Sequence, residues 1–306
     1  MLVNEISTRN QQSIRGHEDN LINGILDIFP EKIRENLFMK IKESIDYEPA
    51  IGVMGKTGAG KSSLCNSIFK GQVCAVSDVE ACTRDVQELR ISFGQRSLKL
   101  IDIPGVGEST DRDKEYEVLY KELLPKLDLI LWVIKGDERA FSSDEYFYNH
   151  VLVPAGGENN VLFVLNQIDK IEPFREWDIT NNCPSSTQLV NIKKKEVYLS
   201  ERLGFINNPV VSVSANEGYN IIKLVEAMIR ALPDCAKSGA TAQLKDEYKT
   251  DSVKDNARDG FAEIISEAID EVIDILPVRD GVKNLMKNGK DIVVEKVKKI
   301  WGYFFG

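Results

Sequence analysis

AIGVMGKTGAGKSS, residues 50–63, is the stretch on which the fold turns. Ala50 to Met54 read as a short buried strand, and three glycines and two lysines follow within nine residues. Glycines remove side chains, so the backbone can take positive φ and wrap closely around a ligand. Gly55, Lys56, Thr57, Gly58, Ala59, Gly60, Lys61 and Ser62 match the phosphate-loop pattern GxxxxGK[ST] in full, between a strand and a helix as the pattern requires. Backbone N–H groups and the helix N-terminus, with Ser63 in its first turn, offer positive potential to the α- and β-phosphates. Lys61 is placed to reach the β- and γ-phosphates, and the Ser62 hydroxyl suits Mg²⁺. The stretch predicts a nucleotide site and leaves the base open.

Two later segments name the base. Asn166-Gln167-Ile168-Asp169 ends the apolar strand VLFVL. Asp169 can accept the N1 and 2-amino protons of guanine, an arrangement adenine does not offer. Asn166 can bond the other edge of the base and tie this loop to the phosphate loop. Ser214-Ala215-Asn216 follows VVSV, where a backbone N–H can donate to the guanine O6. Between these loops lies Asp102-Ile103-Pro104-Gly105, at the end of LKLI. There a carboxylate holds Mg²⁺ and Gly105 offers an N–H to the γ-phosphate. In the loop from Gly71 to Asp85, the Thr83 hydroxyl can close on Mg²⁺ when the γ-phosphate is present, with Ser77 as its competitor. The expected ligands are GTP or GDP with Mg²⁺. Ser62, Thr83 and Asp102 are the expected metal set, and Lys61, Thr83 and Gly105 the expected catalytic set.

Around these loops the pattern alternates as an α/β domain should. Strands are expected at Ala50–Met54, Val86–Phe93, Leu98–Ile103, Leu129–Ile134, Val161–Leu165 and Val210–Val213. The last three are near-continuous apolar runs, as parallel strands covered on both faces require. The second and third have no helix between them. The expected fold is therefore a P-loop G domain: a mostly parallel six-stranded sheet, helices on both faces, and one antiparallel edge strand. Its limits are 48–233, with an N-terminal helical extension at 1–47 and a linker plus helical region at 234–306. Pro30 divides the first extension into two helices. Pro233 to Thr250 is polar and reads as linker.

Composition is that of an ordinary soluble globular protein: 306 residues, 42% hydrophobic and 28% charged. A net charge of −9 argues against broad nucleic-acid binding, and no DNA partner is expected. Five cysteines with no CxxC, and only two histidines, leave no zinc pattern and fit reduced thiols. The polar N-terminus lacks a signal-peptide core, and no window approaches about 18 uncharged apolar residues. A cytoplasmic location is expected, with a peripheral membrane contact as the alternative.

That alternative rests on the C-terminus. Asp259 to Asp274 carries six acids and no base, and Val282–Phe305 then carries Lys283, Lys287, Lys290, Lys296, Lys298 and Lys299. One outcome is an antiparallel helix pair with complementary charges. The other is a basic amphipathic tail, ending in Trp301, Tyr303, Phe304 and Phe305, that meets a membrane surface or a protein partner.

Over about Glu48 to Leu232 the chain resembles the translation-factor-related, Era-like GTPases. IGVMGKTGAGKSSLCNSIF, SDVEACTRDV, IDIPGVGES and DLILWVIKGDERA are similar to the bacterial GTPases of the YfjP and YkfA type, under the ribosome-binding (HSR1-related) heading. GKTGAGKS also resembles the immunity-associated and interferon-inducible GTPases. The resemblance implies a Mg²⁺-dependent GTP-hydrolysing switch in a bacterial cytoplasm. It also suggests three kinds of partner: a G-domain homodimer, a membrane for a self-assembling GTPase, or the large ribosomal subunit. Three departures carry expectations. Gln167 replaces the usual lysine of NKxD, so affinity drops while Asp169 keeps guanine selectivity. Val106 stands where small Ras-like GTPases carry a water-positioning glutamine, so intrinsic hydrolysis is slow and the missing element comes from Glu108, Arg84, Arg139 or a second molecule. Gly58 stands where potassium-stimulated relatives carry asparagine, so potassium activation is not expected. Arg139, in KGDERAF, lies where septin-like relatives make contacts across a dimer. It is either a catalytic arginine for a facing γ-phosphate or a surface arginine paired with Asp137 or Glu138.

Overall fold

The computed structural model describes residues 15–70, 72–75, 87–103, 118–157, 160–203, 210–277 and 279–306. Among these, the strands are β1 (Ala50–Met54), β2 (Gln72–Ala75), β3 (Gln87–Phe93), β4 (Arg96–Asp102), β5 (Leu129–Lys135), β6 (Val161–Asn166) and β7 (Val211–Ser212). They form one sheet in the order β2-β3-β4-β1-β5-β6-β7. Pairing is parallel from β4 through β1, β5 and β6 to β7, and β3 is antiparallel to both of its neighbours. The expected mostly parallel sheet with one reversed strand is present. It gains a seventh strand: the four-residue β2 lies outside β3 and takes the edge. Its sequence, QVCA, is too short to show alternation.

Why the central strands are continuous apolar runs is visible in their partition. Ile51, Val53, Leu129, Leu131, Val133, Leu162 and Val164 face one hydrophobic cluster, and Met54, Ile130, Trp132, Ile134, Phe163 and Leu165 face the other. Alternate side chains serve opposite layers, so neither parity can be polar. The second layer is closed by residues 118–123 (α4), Ser142–Phe147 (α5) and Ser186–Leu203 (α6).

The first layer holds Lys61–Ile68 (α3) and Ile221–Ala231 (α7), but also every terminal helix. These are residues 15–26 (α1), Glu31–Asp46 (α2), Asp234–Gln243 (α8), Asp251–Asp274 (α9) and Asp280–Phe305 (α10). Pro30 stands at the N-cap of α2, as its missing N–H allows.

The expected linker is instead α8, buried against the sheet. Its residues are small rather than solvated: Ala236, Ser238, Gly239, Ala240, Thr241 and Ala242. A Cβ on Gly239 would lie 2.9 Å from the ring of Pro49, and one on Gly260 of α9 would lie 2.7 Å from Asp234 Oδ1. Smallness here allows close helix crossing, which a polarity scale misreads as loop.

α10 packs antiparallel to α9, and three of its six lysines pair with α9 carboxylates. Lys287 meets Asp274 at 2.9 Å, Lys290 meets Asp270 at 2.6 Å and Lys298 meets Asp259 at 2.9 Å. Trp301, Phe304 and Phe305 are buried, and Trp301 Nε1 donates to Ser238 Oγ at 2.8 Å. Of the four terminal aromatics only Tyr303 is exposed. No described helix is long and apolar enough to cross a membrane.

Candidate functional site

β1 delivers the chain into the loop Gly55–Gly60, and α3 begins at Lys61. The glycines are required by geometry at two points. Gly55 has φ +143°, and a Cβ there would stand 2.1 Å from the Val133 carbonyl oxygen. Gly60 has φ +88°, and a Cβ would stand 2.5 Å from Asn166 Nδ2. α3 has no side-chain cap and no acid in its first turn, so its first N–H groups stay available to an anion. Thr57, Gly58, Ser62 and Ser63 are exposed along this rim, while Ala59 is buried.

Lys61 Nζ donates to the Gly55 carbonyl at 2.9 Å and lies 3.8 Å from Asp102 Oδ1. Asp102 ends β4, paired in register with Val53 at the end of β1. Its Oδ1 is buried and has no hydrogen-bond partner among the described residues. Burial pushes this carboxyl above the usual carboxylate range, against the pull of Lys61. An orphaned carboxylate oxygen beside Ser62 and Lys61, on a cavity of about 60 Å³, is what a Mg²⁺ site with water ligands needs. The donor set fits. Cys65 lines the same cavity, and burial pushes its thiol up to about 12, so it stays protonated and unreactive. Thr83 and Gly105, with Ser77, Arg84, Val106 and Glu108, lie outside the described residues.

β6 ends at Asn166, whose two amide atoms stitch three loops together. Nδ2 donates to the Ala59 carbonyl at 2.9 Å, and Oδ1 accepts from Ala215 N–H at 3.1 Å. Gln167 takes φ +59° and donates from Nε2 to the Gly58 carbonyl at 2.8 Å. Asp169 is half-buried and accepts from Ser214 Oγ at 2.6 Å. The phosphate loop, the base loop and the Ser214–Ala215 turn therefore converge as expected. Within that turn the Ala215 N–H is bonded to Asn166 Oδ1 and the Ser214 N–H to the Tyr219 carbonyl. Asn216 is exposed in the turn closed by Ser214 and Tyr219.

Lys56 does not point its side chain at the phosphate position. Its ammonium contacts the Ala140 carbonyl, Asp144 Oδ2 at 3.1 Å and Glu138 Oε2 at 3.8 Å, so only its backbone serves the loop. Asp144 is buried and also accepts from Trp132 Nε1 at 3.0 Å. Burial raises its carboxyl, and Lys56 opposes that. The effect is to pin the segment after β5 to the phosphate loop. Glu138 caps that segment by accepting the N–H groups of Arg139 and Ala140, and these bonds with Lys56 hold its carboxyl below the usual range. Asp137 pairs with Lys135 at 3.2 Å. Arg139 is thus exposed, with neither expected acid as its side-chain partner.

Two contributors were not legible in the sequence. Gly136 carries no Cβ because one would lie 2.6 Å from the Gln167 carbonyl oxygen. Lys170 donates to Gln167 Oε1 at 2.8 Å. The (i, i+3) spacing of Gln167 and Lys170 is the only local signal for that pair.

A family model described as a 50S ribosome-binding GTPase (MMR_HSR1) matches residues 50–167. Two proteins of Escherichia coli K12 match nearly the whole chain. YfjP, itself uncharacterised, is 40% identical over 276 residues, covering 90% of this chain and 94% of its own. YkfA, likewise uncharacterised, is 38% identical over 279 residues, covering 90% and 94%. Among solved structures, a variant of Aquifex aeolicus Era bound to GDP and AlF4⁻ aligns at 22% identity with a TM-score of 0.43, over 60% of this chain and 56% of that one.

Proposed function

The chain belongs to the GTPase family that includes YfjP and YkfA, and from that premise we propose that it is a Mg²⁺-dependent guanine-nucleotide switch. The observation that carries this is the convergence of three loops on one opening. The Gly55–Ser62 backbone, the Asp169 carboxylate and the Ser214–Ala215 turn are held together by the Asn166 and Gln167 amides. The loop N–H groups and Lys61 would hold the phosphates, Asp169 would select guanine, and Ser62 with Asp102 would hold Mg²⁺. When bound, that ion neutralises charge on the β- and γ-phosphates. Thr83 and Gly105 would complete the γ-phosphate contacts, and Val106 implies slow intrinsic hydrolysis.

The terminal helices are the proposed readout. Arg96, at the β3–β4 turn, is 8% exposed and touches four of them. Its guanidinium meets Glu18 of α1 at 2.8 Å and Asp46 of α2 at 3.0 Å, and lies 5.7 Å from the ring centre of Phe305 in α10. Its carbonyl accepts from Gln243 of α8 at 2.9 Å. The Gln243 carbonyl in turn accepts from Lys70 N–H, two residues before β2. Movement of the segments flanking β3 and β4 would thus reach α1, α2, α8 and α10 through one buried cation. The shift can be no larger than the differential affinity of GTP and GDP for the two arrangements.

Arg139 supports a G-domain homodimer as the finer reading of activation, because its guanidinium is exposed beside the phosphate loop on a pinned segment. Membrane contact loses its motive, since α9 and the core absorb three of the four aromatics and half of the lysines that suggested it.

Calorimetric titration of GDP and ADP into the Mg²⁺-loaded protein and an Asp169→Ala variant tests the core. GDP binding without ADP binding, lost in the variant, is expected; equal binding of ADP would overturn the guanine assignment. Hydrogen exchange in α1 and α10 should differ between GDP and a GTP analogue, and Arg96→Met should abolish that difference. GTP turnover per molecule should rise with protein concentration and become flat in Arg139→Ala.

A further inference from the structure

We infer that Lys170 is a positioning residue for the nucleotide, acting through the Gln167 amide on the tip of the phosphate loop. This rests on the guanine-nucleotide assignment above. Gln167 adopts φ +59°, a left-handed conformation that non-glycine residues rarely take. Contacts on both sides of the residue hold it there. Its backbone oxygen accepts from Lys170 N–H at 3.0 Å, and its side chain bridges Lys170 Nζ and the Gly58 carbonyl, each at 2.8 Å.

The direction of the bridge follows from chemistry. A lysine only donates and a carbonyl only accepts. The amide therefore turns Oε1 to Lys170 and Nε2 to Gly58. Remove the ammonium and Oε1 loses its charged partner, so the amide is free to rotate. Gly58 feels this most. It sits at φ +81° and exposed, and its carbonyl accepts from Gln167 beside the Ala59 carbonyl that accepts from Asn166, so the two amides hold the loop tip together. Lys170 also sets a positive charge at the mouth of the site, where residue 167 is neutral.

GDP titration of four proteins decides the matter: wild type, Lys170→Met, Lys170→Arg and the double variant Gln167→Lys/Lys170→Met. Lys170→Met is expected to weaken GDP about three- to tenfold, with ADP still excluded and the melting temperature unchanged. Lys170→Arg retains the wild-type affinity. The double variant recovers it, because a lysine at 167 can donate to Gly58 without being oriented. A Lys170→Met protein that binds GDP as tightly as wild type overturns the inference, as does a loss that Gln167→Lys does not rescue. A wild-type chain that binds no GDP overturns the guanine assignment and this inference together, a result distinct from both.

Discussion

Lys61 in the phosphate loop lies 3.8 Å from a carboxylate oxygen that has no hydrogen-bond partner among the described residues. On α10, by contrast, Lys287, Lys290 and Lys298 lie 2.6–2.9 Å from carboxylates of α9. Both regions are conspicuous in the sequence, one for its glycines and lysines, the other for its lysines and aromatics. In the first the polar groups are left under-satisfied and the backbone is held in positive φ, a cost that a bound polyanion and cation would offset. In the second, three of the six lysines pair with α9 carboxylates and three of the four aromatics are buried inside the chain. An odd composition therefore marks a binding surface only where the fold leaves it unpartnered.

The largest test of that contrast is Trp301→Ala. Truncating a buried tryptophan should cost about 3–5 kcal/mol in a denaturant titration, while GDP affinity below the unfolding transition stays the same. A loss under about 1 kcal/mol would mean that α10 is not part of the core. Next comes Lys61→Ala, the converse case. It should weaken GDP about 10- to 100-fold, through loss of a charge-assisted contact, and leave the melting temperature within about 2 °C of wild type. Unfolding on this substitution would show that Lys61 is structural after all.

Lys249, between α8 and α9, sharpens the comparison because it is a lysine the fold serves badly. Its side chain is 6% exposed, with Asp246 at 3.9 Å, and that carboxylate already pairs with Lys70 at 2.6 Å. Burial, with Lys70 nearby, brings its ammonium down from 10.5 to about 8. Between about pH 8 and 10.5 the unfolded chain binds the proton that the folded chain has lost, so stability should rise with pH across that window. Lys249→Met should remove this rise and stabilise the protein by on the order of 1 kcal/mol at pH 7. Chemical denaturation at several pH values checks both signs. The smallest effect belongs to Lys298→Ala, where a partly exposed ion pair should contribute less than about 0.5 kcal/mol. A larger loss would mean that the α9–α10 charges are coupled rather than independent.

Much of the site was legible because it is coded locally. Gly55 to Ser62, Asp102, Asn166 and Asp169 each sit at the end of an apolar strand, and strand ends on one edge of a parallel sheet converge. What misled was residue chemistry read without neighbours. Lys56 looks like a phosphate ligand until Asp144 and Glu138 claim its ammonium. Gln167 reads only as an absent lysine until its bonds to Lys170 and Gly58 are seen. Pro233–Thr250 looks like linker because alanine, serine and glycine serve equally in a solvated loop and in a tight helix crossing.

The sequence alone determined the parallel core of the sheet and placed the phosphate-loop and base-loop segments at its strand ends, since hydrophobic periodicity and glycine spacing act over a few residues; the edge strand β2 was not among them. Only the tertiary structure decided which charges remain available and that the terminal helices complete one face of the sheet. Those outcomes depend on pairs such as Arg96 with Glu18, or Trp301 with Ser238, separated by 78 and 63 residues. No local pattern specifies such contacts; they are fixed when burial removes water and each polar group must find its partner within the chain.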